Sequence, residues 1–597
     1  MRKIILIIAL SLFLVACNST NLEQSVIESS EEEIISDYIF YKVEDKVAND
    51  NEFNAGSKID ELNLTDDNIE NLKIIGKIWG FLKYYHPYVA KGEYNWDYEL
   101  FRVLPMILEV EKPEERDSIL LSWIASLGEY EAGNFPLKNE SEIKKDVDFK
   151  WIEDFNLSQE LVSQLTHIKN ARRRLNNKYV NINSQNLVPI FSNEKSYAIM
   201  RYPDTGYRLL SLYRYWNIIE YYYPYKYLIE EDWNNVLEEF IPKFIKASDE
   251  LDYQLVSLEL ITRINDSNAG IEDSKALENH LGVNYPPIKV TFVEGNLIVT
   301  GYYDKELGEE SGLKLGDIIS KISNKTVEEI VVEMEPYIPA SNYPSKLSKI
   351  SKDILRTNED SLSIEFIRDD ENYLLELACY KQGSINSKKS DYIGYSDSYY
   401  KDIDSDIGYM NIGLFRSQNE GEFIYRTYNK KGIIVDLRSY SLASYNEILG
   451  SYFLEESTEY ANFTKTSLED PGVFSFQDVN ERIRVTSRTH YQGKLVLIIN
   501  EETQGQFELA TMLFKTSPNT IVIGSNSAGS NGEISSLYLP GYIRTQIPGL
   551  GVYYLDGGEI QRIGIEPDIV IHPTIEAIKE GRDELLEKAI EIIHQGE

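Results

Sequence analysis

Apolar and polar positions divide the chain into stretches of different period. LVLIIN, from Leu495, is an unbroken apolar run of the length expected for a strand buried on both faces. A polar corner, EETQGQ, follows it, and then FELATMLFK, whose apolar residues recur at helical spacing. Further runs after about Tyr380 (IGYMNIGLF, KGIIVDLRS, TIVIGS and RIGIEPDIVI) predict strands with helices between them, closed by the helix GRDELLEKAIEII. That alternation predicts an α/β domain over 383–597. Over 286–382 the texture differs. IKVTFVEGNLIVTGYY alternates like paired strands with Gly295 in the turn, GEESGLKLGDIISKISNKTVEEIVVEM reads as helix, glycine corner, strand and helix, and SLSIEFIRDD as a last strand.

The stretch 68–285 is helical and duplicated. Trp79, Pro87, Trp96 and Pro105 recur as Trp216, Pro224, Trp233 and Pro242, each displaced by 137 positions, and Tyr84-Tyr85 recurs as Tyr221-Tyr222. Four matches of two scarce residue types at one offset mark an internal repeat. Each copy reads as a helix stopped near its proline, a short loop, and a second helix beginning near Trp96 or Trp233. The aromatic clusters fit two roles, a surface on which sugars or peptides stack or the core between paired helices, and their helical spacing favours the core.

Length and charge narrow the choice. At 597 residues the chain exceeds what one core organises. A formal net charge of -37 excludes nucleic acid as a partner, because nothing would neutralise its phosphates. Arg2 and Lys3 precede the apolar run IILIIALSLFLVA, too short for a comfortable bilayer span. The ending Leu14-Val15-Ala16-Cys17 resembles the bacterial lipobox; the competing reading is an ordinary signal with an incidental cysteine. The lipobox reading makes 1–16 a signal peptide and Cys17 a lipidated N-terminus. It also makes 17–67 an acidic tether, with a short strand around Tyr38–Val43, and the mature protein a membrane-anchored lipoprotein outside the cytoplasm. Cys379 is the only other cysteine, which leaves no intramolecular disulfide once Cys17 carries lipid. No His or Cys cluster has metal-ligand spacing, and no cofactor is expected.

The segment Ser311-Gly312-Leu313-Lys314-Leu315-Gly316-Asp317 resembles a PDZ domain of the circularly permuted bacterial kind. Together with GFLKYYHP, RYWNIIEYYYPYKYLIEEDW and GVYYLDGGEIQRIGIEPDI, the order of domains resembles the tail-specific (C-terminal processing) serine peptidase family, in its lipoprotein-type branch. The resemblance covers the chain from about Asn71 onward. It implies three parts: the helical repeat domain, a PDZ-like β/α domain, and a crotonase-like α/β peptidase domain. It also implies that Gly312 and Leu313, with Asp436 and Arg438 in VDLRSY, shape the binding of peptides or protein C-termini.

Carried over residue by residue, the family's corner reads Thr-Gln-Ser-Gln-x-Glu with Ser as nucleophile. Here Thr503, Gln504, Gln506 and Glu508 are kept, and Gly505 stands in the Ser slot. Relatives carry His in the loop that reads RINDSNAG here, so Asn268, or Asn265, is a candidate lost His. A peptidase needs an oxygen or sulfur nucleophile and a base to take its proton. Thr503, Ser525, Ser527 and Ser530 lie near enough to be weighed as substitutes, but each fits a turn role better. Glu508 could be catalytic, but it fits better as the residue that orients the corner. Two functions therefore stand side by side: a serine-type endopeptidase with a rearranged nucleophile, and an inactive pseudopeptidase that binds peptides.

Overall fold

The computed structural model describes residues 50–596, except 60–61, 63, 132, 134–141, 174–176, 388–389, 393, 395, 439–445 and 487–488. Cys17, the signal peptide, the strand expected around Tyr38–Val43 and most of the acidic tether lie outside the described residues.

The helical region holds two equivalent pairs, Asp66–Tyr85 with Trp96–Leu108, and Thr205–Tyr222 with Trp233–Lys246. Each first helix stops one residue before an X-Pro step, because the proline ring drives its predecessor out of the helical region. His86 and Tyr223 accordingly take extended conformations, with ψ of 123° and 115°. Each second helix begins on its tryptophan. The Trp79 and Trp96 indole N–H groups each donate to the other's carbonyl at 2.9 Å; Trp216 and Trp233 repeat the exchange at 2.6 and 3.1 Å. A buried indole needs an acceptor, and here each tryptophan supplies its partner's. The two copies meet through equivalent positions. A Cβ on Gly80 would lie 1.9 Å from the side chain of Asn217, which itself donates to the Gly76 carbonyl at 3.1 Å. Trp79, Trp96, Trp216 and Trp233 and the pairs Tyr84-Tyr85 and Tyr221-Tyr222 are buried, so they are core and not a stacking surface.

The middle region is a sheet ordered Glu371–Ala378, Ser361–Arg368, Ile318–Ile322, Asn296–Tyr302 and Asp391–Tyr392. The strand Ile288–Val293 also pairs with Asn296–Tyr302, and the helix Tyr343–Asp353 packs beside it. The sequence pattern places the last strand of 286–382 at SLSIEFIRDD, and the structure adds Glu371–Ala378 after it. Between the two strands Asp369 and Asp370, with φ of 52° and 62°, form a tight hairpin turn more familiar with Asn-Gly.

The C-terminal region is a six-stranded sheet in the order Tyr400–Asp402, Ile407–Asn411, Gly432–Asp436, Lys494–Ile499, Thr520–Gly524 and Ile569–Val570; only the first pair is antiparallel. Leu495, Leu497 and Ile499 face the helix Gln506–Lys515, and Val496 and Ile498 face the helix Glu584–Gln595. With helices on both faces the central strands are buried over Gly432–Asp436 and Leu495–Ile499, which is why they read as unbroken apolar runs. From this region the hairpin Ile534–Leu539/Ile543–Pro548 reaches into the helical core, where Leu537, Leu539, Ile543 and Ile547 are buried. Among the described residues no helix is long and apolar enough to cross a membrane.

Candidate active site

Gly505 links the buried strand Lys494–Ile499 to the helix Gln506–Lys515, with φ 60° and ψ −115°. That conformation is strained for any residue with a side chain. The corner is held from below by Glu508, on the first helical turn. Its fully buried carboxylate accepts from Gly505 N at 3.1 Å, Gly529 N at 2.8 Å, Ser530 N at 3.2 Å and Ser527 Oγ at 2.5 Å. Burial pushes the Glu508 carboxyl up to about 7, and these four donors pull it back. Gly505 N is also shared with the Ser530 carbonyl at 3.1 Å. One carboxylate thus fastens the corner to the glycine-rich loop, leaving Glu508 no free face toward a substrate. Gln506 is half-buried on the same turn.

The loop after the helix Glu250–Thr262 approaches from the helical region. Asn268 lies against the corner. Its Nδ2 donates to Ser530 Oγ at 2.8 Å, and its Oδ1 accepts from Gln504 Nε2 at 2.8 Å. Its carbonyl accepts from Gln546 Nε2 of the inserted hairpin at 2.9 Å. Asn265, with φ 50°, only closes the preceding helix. Asp266 lies between them, fully buried, and accepts from Asn268 N, Ser530 Oγ and Gln561 Nε2 at 2.7, 3.1 and 2.6 Å. Burial pushes its carboxyl up against those bonds. Sequence reading named Asn268 and missed Asp266, Gln546 and Gln561, whose partners lie hundreds of positions away. The groups beside Gly505 are therefore mostly carboxamides.

The candidate substitute hydroxyls are committed. Thr503 Oγ1 donates to the Leu437 carbonyl at 2.9 Å, Ser527 Oγ donates to Glu508, and Ser530 Oγ is bonded to both Asp266 and Asn268. Ser525 differs, because it is half-buried and donates to Glu501 Oε2 at 3.1 Å.

Ser525 and Glu501 line a cavity of about 800 Å³ between the middle region and the C-terminal ends of the parallel strands. Open α/β sheets place ligands at such strand ends. Arg438 also lines it, but its guanidinium is clamped by Asp436 Oδ2 at 2.7 Å and Asp583 Oδ2 at 2.6 Å. Tyr409 OH completes the shell of Asp436 at 2.8 Å. This pair braces a strand end to the last helix. Gly312 and Leu313 do not reach the cavity: Leu313 is buried in the middle region's core, and the Gly312 carbonyl accepts from Arg368 at 2.8 Å. The segment that carried the resemblance builds the domain rather than the cleft. Among the described residues no three His, Cys, Asp or Glu side chains gather to hold a metal.

The parallel sheet, its strand-to-helix corner and the cleft at its strand ends form an open α/β architecture with room for a ligand. Residues 406–571 match the model of peptidase family S41. Mature CPAF complexed with lactacystin is similar over 65% of this chain and 98% of its own, at 13% identity and a TM-score of 0.51. Mature CPAF alone gives 66% and 97%, at 14% identity and 0.51. The photosystem II D1 C-terminal processing protease matches 62% of this chain and 97% of its own, at 12% identity and a TM-score of 0.38. No curated protein sequence matches the chain.

Proposed function

We propose that this protein is a lipid-anchored, extracytoplasmic tail-specific peptidase homologue that binds peptide segments or protein C-termini and has lost acyl transfer. In this reading the middle region is PDZ-like, the C-terminal region crotonase-like, and Gly505 occupies the nucleophile slot. One observation carries it: the corner holds the strained conformation of a nucleophile turn, and Gly505 has no side chain to present from it. Asn268, in the slot of the lost His, has no proton affinity to offer, and the hydroxyls of Thr503, Ser527 and Ser530 are buried in other bonds. Removing a hydrolase nucleophile costs about a million-fold in turnover, and about 10³–10⁴ over water remains from binding and oxyanion stabilisation.

The test compares peptide hydrolysis and peptide binding in the unmodified protein, Gly505→Ser, and Gly505→Ser with Asn268→His. Binding is expected in all three. Hydrolysis is expected to stay near background in the single variant and to rise about 10²–10⁴-fold when the imidazole is added. Robust cleavage by the unmodified protein refutes the reading.

Ser525 favours a second reading, a serine-type endopeptidase with a displaced nucleophile, because its hydroxyl faces the cavity and already donates to a carboxylate. Fluorophosphonate labelling that disappears in Ser525→Ala would establish it. The lipid anchor has its own check: protein from its native host should begin at a diacylated Cys17 by intact mass, and a free Cys17 thiol would remove that part.

A further inference from the structure

Two loop tips from distant parts of the chain meet in one place. One is the segment 195–203, where Met200 N donates to the Tyr197 carbonyl at 2.9 Å and so puts Ala198 and Ile199 at the apex of a tight turn. The other is the loop Pro540-Gly541-Tyr542 of the inserted hairpin. Tyr542 N donates to the Ser196 carbonyl at 2.9 Å, and the Arg201 guanidinium lies 4.8 Å from the centroid of the Tyr542 ring. Tyr542 holds φ 63°, which is costly for an aromatic residue and persists only where the surroundings fix it.

The joined tips turn apolar and aromatic groups outward. Ile199 is 90% exposed, and Tyr202 and Tyr542 are 42% and 44% exposed. They are also free of acid. The segments 195–203 and 534–555 contain Lys195, Arg201 and Arg544 but no Asp or Glu, in a chain that has 97 of them. Arg544 is matched by Glu272 at 2.9 Å, and Lys195 and Arg201 are exposed. Rings and an aliphatic side chain beside cations, with no carboxylate, suit the headgroup region of a bilayer.

The first described residues pack at the same corner. The Phe53 carbonyl accepts from Tyr207 OH at 2.8 Å, and the Tyr207 ring lies 4.6 Å from that of Tyr197. Tyr98 packs on Phe53 at 5.4 Å and lies under the Lys195 ammonium at 5.8 Å. Ser57 N donates to Asp204, two residues beyond Tyr202, at 2.7 Å. The segment leading back toward Cys17 therefore leaves the folded body beside the tips. The 32 residues from Asn18 to Asn49 span at most about 110 Å, which bounds the distance from a lipid on Cys17 but sets no orientation.

We infer that Ile199, Tyr202 and Tyr542 form a second membrane contact, which enters the headgroup region of a lipid bilayer and fixes which face of the protein meets it. The inference rests on the lipid-anchored reading above and adds a surface to it. Once a lipid holds the chain, insertion of the tips is intramolecular, and a weak contact suffices at that effective concentration.

The experiment puts a nitrobenzoxadiazole label on the full chain through Ile199→Cys, since Cys379 is buried and Cys17 carries the lipid. A second label goes on Tyr425→Cys, which is 86% exposed on the helix Glu420–Thr427. On phosphatidylcholine vesicles the label at 199 should shift to the blue and brighten at least about twofold, and the label at 425 should not change. In a parallel measurement the Cys17→Ala chain, which has no lipid, is sedimented with the same vesicles. Ile199→Ser with Tyr542→Ser should weaken its partition at least about tenfold, at an unchanged melting temperature. No shift at 199 while the lipidated protein is vesicle-bound overturns the inference and leaves the anchor standing. Equal shifts at 199 and 425 overturn it as general adhesion. Self-association that disappears in the double Ser variant, without any response to vesicles, would give the tips to a second copy and also overturn it. A shift at 199 and partition by the Cys17→Ala chain, with Cys17 unmodified in the native host, would remove the anchor and keep the contact. No response to vesicles by either form overturns the two together.

Discussion

At Gly505 two requirements that usually conflict are separated. A corner at φ 60° and ψ −115° costs a residue with a side chain about 1–3 kcal/mol, which an enzyme accepts to expose its nucleophile. Glycine keeps the corner and removes the cost. Gly505→Ala should therefore lower the melting temperature of the unit containing the corner by a few degrees in scanning calorimetry. An unchanged or higher value would mean that the corner relaxes around a side chain. Glu508→Gln should cost more, about 2–4 kcal/mol, because an amide has one acceptor oxygen for four buried donors. A urea midpoint within error of the unmodified protein would contradict the fastening role of Glu508.

At the scale of elements, the helix Tyr343–Asp353 is sewn to the loop that carries Asn268. Lys349 Nζ donates to the carbonyls of Ser267 and Pro339 at 2.6 and 2.7 Å, and Ser267 and Ser341 exchange bonds of 2.9 Å in both directions. Burial lowers Lys349 from 10.5 to about 8. Between those values the unfolded chain holds the proton that the folded one has released, so stability from this group rises with pH. Lys349→Met should flatten that rise in a series of melts and speed amide exchange across 266–270 while leaving Asn296–Tyr302 unchanged. A loop equally protected in both proteins would show the tether to be dispensable.

The helix pairs were legible in sequence because a buried indole needs a carbonyl and a proline stops a helix, and both demands repeat at one offset. The strands of the parallel sheet were legible because burial on two faces confines their charged and amide residues to the strand ends. The turn at Asp369-Asp370 was not, since two acidic residues with positive φ carry no glycine signal. Asn268 was found only through a resemblance. Its contact with Ser530 spans 262 positions, and nothing local in either segment announces it.

For the whole molecule, the inserted hairpin decides how the parts share stability. Leu537 and Ile547 belong to the same core as Trp79 and Trp216, and the Arg214 guanidinium, also bonded to Asp97 at 2.8 Å, donates to the Tyr538 carbonyl at 2.9 Å. Leu537→Ala should cost about 2–5 kcal/mol. The loss should appear as faster hydrogen exchange in Asp66–Tyr85 and Thr205–Tyr222 as well as in the hairpin. Exchange that changes only in the hairpin would mean that the helical region stands by itself.

That shared core also sets an order of events for a nascent chain. Arg214 and Tyr538 are 324 positions apart, and Tyr253 and Pro540 are 287 apart. The helical repeats are made first, yet residues that fill their interior are among the last to be synthesised. Until these arrive, the early helices present an unfilled apolar surface, the state in which chains aggregate or are degraded. A ribosome that stalls before the hairpin releases a product with no finished core, so truncated copies should be eliminated rather than accumulate as competing peptide binders.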